Sequence, residues 1–239
     1  MENNHKPGNK RAIIAGASSG IGKEMALYFA RQGWNVAALG RRKKSLDELC
    51  QKSENIFPYE IDIDETEALP SKLGNIVNDL GGLDLLVISA GTGFINTDLD
   101  FSKEHQTIKT NIEGFTGLVC WGYDVFKQNN YGQIAAITSV QGLLPGGLSY
   151  SASKAYQINY IKSIRKIAEK EHPNLTITEL RPGSVDTDMM KGEGHFWISK
   201  PEKAAEIACK AILKKKKLQY ISGRWRIIGI LLKLLSLWG

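Results

Sequence analysis

Arg11-Ala-Ile-Ile-Ala15-Gly16-Ala-Ser-Ser-Gly20-Ile-Gly22, running on into Lys23-Glu-Met-Ala-Leu-Tyr-Phe-Ala30, sets the architecture of the whole chain. Its first five residues form a short apolar run that reads as a buried strand, and its last eight have helical periodicity. Three glycines stand between them as G-x-x-x-G-x-G, with Ser18 and Ile21 inside the turn. Strand, glycine-rich turn and helix start are together the context of a dinucleotide site. Glycines let the backbone approach a pyrophosphate, and free N–H groups at the helix N-terminus bind it.

The same alternation continues along the chain. Strand-like runs recur at about 12–15, 34–39, 56–61, 83–88, 132–138, 175–180 and 218–221. Helical segments fall between them at about 20–32, 43–53, 65–79, 103–128, 150–171 and 200–214. This pattern predicts an α/β chain: a Rossmann-like, doubly wound three-layer sandwich around a central parallel sheet of about seven strands. Its ligand is expected at the carboxyl ends of the strands. The 239 residues suit a single Rossmann-type domain, with residues 1–9 as a flexible polar tail.

Tyr150-Ser-Ala-Ser-Lys154 carries the chemistry. On a helix, a phenol and an ammonium four residues apart share one face. A tyrosine near its ordinary pKa of ~10 holds its proton too tightly for acid catalysis at neutral pH. A neighbouring cation favours the phenolate and is expected to lower that value.

With both ends read, the chain resembles the short-chain dehydrogenase/reductase family from about Lys10 to Gly223. The turn at Gly16, Gly20 and Gly22 sits near the N-terminus, as that family has it. Asn111 lies in Lys-Thr-Asn-Ile-Glu-Gly, Ser139 in Ile-Thr-Ser-Val-Gln-Gly, and Tyr150 and Lys154 in Tyr-Ser-Ala-Ser-Lys. Arg181-Pro182-Gly183-Ser-Val185-Asp-Thr187 looks like the segment beside the nicotinamide. The resemblance implies that Tyr150 exchanges the proton with a carbonyl or alcohol oxygen, and that Ser139 positions that oxygen. It implies that Lys154 holds the ribose hydroxyls as well as tuning Tyr150. Asn111 is expected to hold a water linking Lys154 to solvent. Pro182, Gly183, the backbone at Val185 and Thr187 are expected at the nicotinamide. Ala90 and Gly91 are expected on the cofactor's path, and Asp62-Ile63 resembles the adenine-pocket pair.

The second strand end selects the cofactor. After Trp34-Asn-Val-Ala-Ala-Leu39 the chain reads Gly40-Arg41-Arg42-Lys43-Lys44, with no Asp or Glu. A free ribose 2′-OH favours an acid there, and a 2′-phosphate favours arginine. NADP(H) is therefore expected, with Arg41 facing the phosphate or stacking on adenine and Arg42 or Lys43 adding charge.

Three departures from the family pattern stand out. Ala15 replaces a usual threonine, and Ile88-Ser89-Ala90-Gly91 replaces a usual Asn-Asn-Ala-Gly. Ser139 and Tyr150 are eleven residues apart, so the loop 140–149 is short. The pocket is expected to be lined by Thr92-Gly-Phe94-Ile95, Leu143-Leu144-Pro145 and the apolar segment 188–197, which favours a small apolar carbonyl substrate.

The remaining features exclude more than they assign. Cys50, Cys120 and Cys209 are scattered and give no metal spacing, and no apolar stretch follows the first methionine. A cytoplasmic protein without a metal is expected. The net charge of +6 comes with no nucleic-acid module, so nucleic acid is not an expected partner. Residues 224–239 read as a helix with a very broad apolar face, roughly 20 Å long against the ~30 Å of a hydrocarbon core. It is expected either to pack on a second subunit, in a homodimer or homotetramer, or to lie in a membrane interface. Two functional readings follow: an NADPH-dependent carbonyl oxidoreductase, or a cofactor-binding regulator or scaffold docked through that helix.

Overall fold

The first strand explains why the sheet is buried on both faces. In β1 (Arg11–Ala15) the side chains alternate: Ala12 and Ile14 pack into one core, Ile13 and Ala15 into the other. One core lies under α1 (Gly20–Arg31), α2 (Lys43–Cys50) and α7 (Pro201–Leu213), and includes Met25, Phe29, Leu46 and Ile212. The opposite core lies under α3 (Leu69–Leu80), α5 (Phe115–Asn129) and α6 (Leu148–Glu171), and includes Leu73, Phe115 and Ile161. The structure, a computed structural model, describes residues 9–187 and 198–222. The expected apolar segment 188–197, the C-terminal helix 224–239 and nearly all of the N-terminal tail lie outside the described residues.

The other strands are β2 (Asn35–Gly40), β3 (Ile56–Glu60), β4 (Leu85–Ile88), β5 (Gly132–Ile137), β6 (Leu175–Arg181) and β7 (Leu218–Tyr220). They form one parallel sheet in the order β3-β2-β1-β4-β5-β6-β7. The chain winds outward from β1 in one direction, then returns to β4 and winds in the other. Where the order reverses, between β1 and β4, the connections diverge and leave a crevice at the strand ends. The expected sandwich and strand count are borne out.

One helix differs from expectation. The segment expected as continuous over 103–128 is α4 (Phe101–Ile108), a π-helical turn (Lys109–Gly114) and α5. At this turn the Phe115 N–H bonds to the Thr110 carbonyl, where a regular helix would take it to Asn111. Gly114 fits because a Cβ there would lie 2.7 Å from the Ile63 carbonyl oxygen. Apolar periodicity does not register one extra residue in a turn, so this break leaves little trace in the sequence.

A buried polar cluster holds the strand ends that carry the site. Glu179 accepts from Arg181 Nε (2.8 Å) and Thr138 Oγ1 (3.1 Å), and Arg181 Nη1 donates to the Tyr220 hydroxyl (2.8 Å). This ties β5, β6 and β7 together one residue before Ser139 and one before Pro182. No helix among the described residues is long and apolar enough to cross a membrane.

Candidate active site

The glycine turn is shaped by backbone contacts that leave no room for side chains. Gly16 has φ +88°, and a Cβ on it would lie 2.5 Å from the Ala90 nitrogen. Gly20 also sits in the left-handed region, at φ +56°. Both Gly16 N–H and Ala17 N–H donate to the Leu39 carbonyl at 2.9 Å. The turn is thus braced from β2, and the threonine hydroxyl replaced by Ala15 is not needed for that. Ser19 caps α1 without a side-chain bond to the helix, leaving the N-terminal N–H groups to face the crevice.

The two arginines after β2 divide. Arg42 folds back over the glycine turn, donating from Nη2 to Ser18 Oγ (3.1 Å) and to Ser19 Oγ. Arg41 lies the other way, 4.0 Å from the carboxylates of Asp62 and Asp64. Lys43 pairs with Asp47 along α2 at 2.8 Å and does not line the cavity. Asp64 is nearly buried and accepts from Gln106 Nε2 (2.7 Å) and Thr110 Oγ1 (3.0 Å), which anchors this rim to the π-helical turn.

A cavity of about 700 Å³ runs from this turn to the start of α6. Gly16, Ser18, Gly20, Ile21, Arg41, Arg42, Asp62 and Ile63 line one end. Ala90, Gly91, Ser139, Tyr150, Lys154, Pro182, Gly183, Val185 and Thr187 line the other. Of the expected site residues, Gly22 and Asn111 stand behind the wall rather than in it. Gly22 packs against the Gly16 carbonyl, where any Cβ would collide.

The substrate side corrects the sequence reading in part. Gly93, Phe94 and Ile95 line the cavity as expected, but Thr92, Leu143, Leu144 and Pro145 do not; the opposite wall is Val140, Gln141, Gly146 and Gly147. The loop opens as a 3-10 turn over Val140–Leu143, and Gly142 presses onto the α6 backbone, where a Cβ would lie 2.6 Å from the Lys154 carbonyl carbon. That contact draws the loop onto the helix and swings residues 143–145 out of the wall.

Side chains then fix the reacting end. Ser139 Oγ accepts from Gln141 N–H at 3.1 Å, and Ser139 hydrogen-bonds Tyr150. Gly93 lies against the Tyr150 ring, where a Cβ would be 2.6 Å from Cδ2. Buried Lys154 donates from Nζ to the Ile137 carbonyl (3.3 Å) and to Gln157 Oε1 (2.9 Å), 5.9 Å from the Tyr150 ring centre. Asn111 is fully buried, with both ends of its amide on the Thr92 backbone at 2.8 Å and Nδ2 also on Ser153 Oγ at 3.0 Å.

The electrostatics differ from the expected pairing. Burial pushes the Tyr150 phenol up, opposed by the Ser139 hydrogen bond. Burial pushes the Lys154 ammonium down to about 8. The lysine faces its acceptors beneath the ring rather than the phenol oxygen, so its charge does not produce the expected lowering here.

Three polar residues that shape the site carry no sequence motif. Gln157 lies one helical turn beyond Lys154 on α6. Glu104 accepts from Asn96 Nδ2 (2.6 Å) and from the Ser149 N–H (2.9 Å), joining α4, the 92–100 loop and the start of α6. The available signal was a buried-face glutamine in α6; Glu104 and Asn96 look like ordinary surface residues.

The chain matches the short chain dehydrogenase family model over residues 10–196. It is 31% identical over 192 residues to an uncharacterised oxidoreductase of Mycobacterium tuberculosis, covering 75% of each chain. It is 30% identical over 214 residues to a 3-oxoacyl-[acyl-carrier-protein] reductase of Thermotoga maritima, covering 85% of this chain and 82% of that one. A short-chain dehydrogenase structure from Streptomyces avermitilis superposes with a TM-score of 0.82 at 19% identity, over 96% of this chain and 94% of that one. One from Burkholderia cenocepacia in complex with NADP gives 0.78 at 22%, over 92% and 91%. The chain belongs to the short-chain dehydrogenase/reductase family of oxidoreductases.

Proposed function

We propose that this protein is an NADPH-dependent reductase of a small apolar carbonyl compound, with Tyr150 as proton donor and, in the reverse direction, acceptor. The observation that carries the reading is the convergence of Ser139, Tyr150 and Lys154 on one cavity with the glycine turn and Arg42. The cradle fits a dinucleotide, because Gly16, Ser18, Gly20 and Ile21 line one end of the cavity where the N-terminus of α1 opens, and uncapped helix N–H groups suit a pyrophosphate. Arg42, held at Ser18 with no acid at the β2 end, suits a 2′-phosphate, and Arg41 suits the adenine rim beside Asp62. The structural relative from Burkholderia cenocepacia is itself a complex with NADP.

When bound, the cofactor supplies or accepts hydride at the substrate carbon. Ser139 and Tyr150 would hold the substrate oxygen between their hydroxyls, and Tyr150 would deliver the proton as negative charge develops there. Lys154 would bind the ribose hydroxyls through the ammonium proton that the Ile137 carbonyl and Gln157 do not take, with its charge held beneath the Tyr150 ring. Asn111 would brace the Thr92 loop over both residues. Phe94 and Ile95 favour an apolar substrate, and the Thermotoga relative's name makes 3-oxoacyl compounds one arm of a substrate panel. The setting expected for this enzyme is a cytoplasmic homo-oligomer, its mass checked by light scattering.

The test is NADPH oxidation, with NADH alongside, across apolar ketones, aldehydes, quinones and 3-oxoacyl thioesters. Turnover should fall by ~10²–10⁴-fold in Tyr150→Phe while NADPH affinity is kept. Tight NADPH binding with no turnover that depends on Tyr150 would favour the regulator or scaffold reading.

A further inference from the structure

Between Lys154 and the Asn111 backbone stands the side chain of Gln157. Gln157 is fully buried, and both ends of its amide are used: Nε2 donates to the Asn111 carbonyl at 2.8 Å, and Oε1 accepts from Lys154 Nζ at 2.9 Å. The amide has one workable orientation here. An ammonium only donates and a carbonyl only accepts, so Oε1 must face Lys154 and the NH₂ must face Asn111. The π-helical turn makes the Asn111 carbonyl accessible, because the Phe115 N–H that would occupy it in a regular helix goes to Thr110.

We propose that Gln157 is the positioning residue of the acid–base pair: its amide ties the Lys154 ammonium to the Asn111 carbonyl and so fixes Lys154 beneath Tyr150. A buried ammonium needs acceptors, and Lys154 has two, of which the Ile137 carbonyl is the longer at 3.3 Å. Gln157 is the acceptor that sits on the same helix as Tyr150 and Lys154, so it sets the direction in which the lysine points. The effect of this arrangement on turnover rests on the reductase reading, whereas its effect on Lys154 does not.

Titratable groups on the surrounding elements do not compete for this role. Tyr150 faces Lys154 from α6, and Arg165 further along that helix interacts with Glu179. Lys109 on the π-helical turn interacts with Glu65, and Glu113 there is exposed. Glu104 on α4 is bound to Asn96 and Ser149, and Glu179 and Arg181 on β6 pair with each other. The lowered pKa of Lys154 has burial as its cause, with no charged partner contributing.

The experiment uses the full chain and two variants, Gln157→Met, which removes the acceptor at similar volume, and Gln157→Glu, which keeps one. Lys154 is followed by NMR of ε-¹³C-lysine protein, its signal assigned with Lys154→Arg, and the pH profile of NADPH-dependent reduction is measured in parallel. Gln157→Met should move the Lys154 titration down by about one pH unit or more, the scale of a lost hydrogen bond to a charged group. The alkaline limb of kcat/KM should move down with it, since reduction needs the lysine charged. Gln157→Glu should restore or raise both. If Lys154 titrates unchanged in a folded Gln157→Met variant, or in Gln157→Glu falls as it does in Gln157→Met, the proposal is overturned and Gln157 is packing alone. If the titration shifts as expected but no substrate turns over even in the wild type, the positioning role stands and the reductase reading fails.

Discussion

The two ends of the cavity are built from different materials. At the cofactor end, recognition lies in backbone: Gly16, Gly20 and Gly22 occupy positions where a Cβ has no room or the dihedral is left-handed. At the reacting end it lies in a side-chain network, Asn111–Ser153, Lys154–Gln157 and Glu104–Ser149, whose bonds mostly join residues distant in sequence. Backbone geometry tolerates no graded change, whereas a network loses one bond at a time. Substitutions should therefore act abruptly at the first end and by degrees at the second.

The largest effect is expected at Gly16→Val. Its Cβ would meet backbone of the neighbouring strand's loop, Ala90 N at 2.5 Å, and that backbone cannot swing aside as a flexible side chain can. A β-branched residue at φ +88° adds its own strain. We expect a loss of more than ~3 kcal/mol in chemical denaturation and no NADPH binding by calorimetry. A folded Gly16→Val protein that still bound NADPH would erase the contrast between the two ends.

Next comes the lysine, through pH. In the folded protein Lys154 titrates near 8, against an ordinary value of 10.5. Below pH 8 both folded and unfolded chains carry the proton, and above pH 10.5 neither does. Between those values the unfolded chain binds more protons, so folding becomes more favourable as pH rises. Relative to Lys154→Met, the wild type should gain stability across this window, on the order of 3 kcal/mol in total. Urea denaturation of both proteins from pH 7 to 11 measures it, and a pH-independent difference would mean that the lysine is neither desolvated nor perturbed.

Arg42 is the place where the cofactor end relies on a side chain, and it sharpens the comparison. Arg42→Ala should weaken NADPH by ~10–100-fold, the worth of charge-assisted hydrogen bonds, and leave NADH nearly unchanged. Arg41→Ala should weaken both nucleotides by a smaller and similar factor, because Arg41 lies at the adenine rim beside Asp62 and Asp64. Loss of discrimination in Arg41→Ala with none in Arg42→Ala would return the phosphate to Arg41.

These expectations track what the sequence makes legible. Gly16, Gly20 and Gly22 announce themselves because the constraint is local: a turn of fixed length between a strand and a helix admits few residues. Tyr150 and Lys154 are visible for a similar reason, sharing a helix face at a spacing of four. The π-helical turn escapes notice because Ile108, Ile112 and Phe115 keep an acceptable helical pattern through it. Leu143–Pro145 mislead because apolar composition suggests a pocket wall, whereas the fit of Gly142 on α6 decides where the loop goes. The sequence puts Arg41 first and Arg42 second at the phosphate, whereas the chain leaving β2 turns Arg42 over Ser18 and Arg41 toward Asp62 and Asp64.

Glu104 tests the reacting end at its smallest scale. Leu148, the first residue of α6, is held at φ +46°, a left-handed conformation that is costly for a leucine. The adjacent Ser149 N–H is anchored by Glu104, and the Gly147 N–H by Ser151 Oγ at 2.7 Å, so the strain is enforced from both sides two residues before Tyr150. Glu104→Gln keeps one acceptor but gives up the charge, and should cost about 1 kcal/mol with a modest fall in kcat. Leu148→Gly relieves the dihedral while keeping the anchor, and should be neutral or stabilising by ~0.5–1 kcal/mol. If the strain exists because Glu104 imposes it, the gain from Leu148→Gly should shrink in a Glu104→Gln background, a non-additivity that a double-mutant cycle in urea resolves. Strict additivity would mean that Leu148 adopts its conformation for local reasons, and that the network at this end is a set of separate bonds rather than one coupled support for Tyr150.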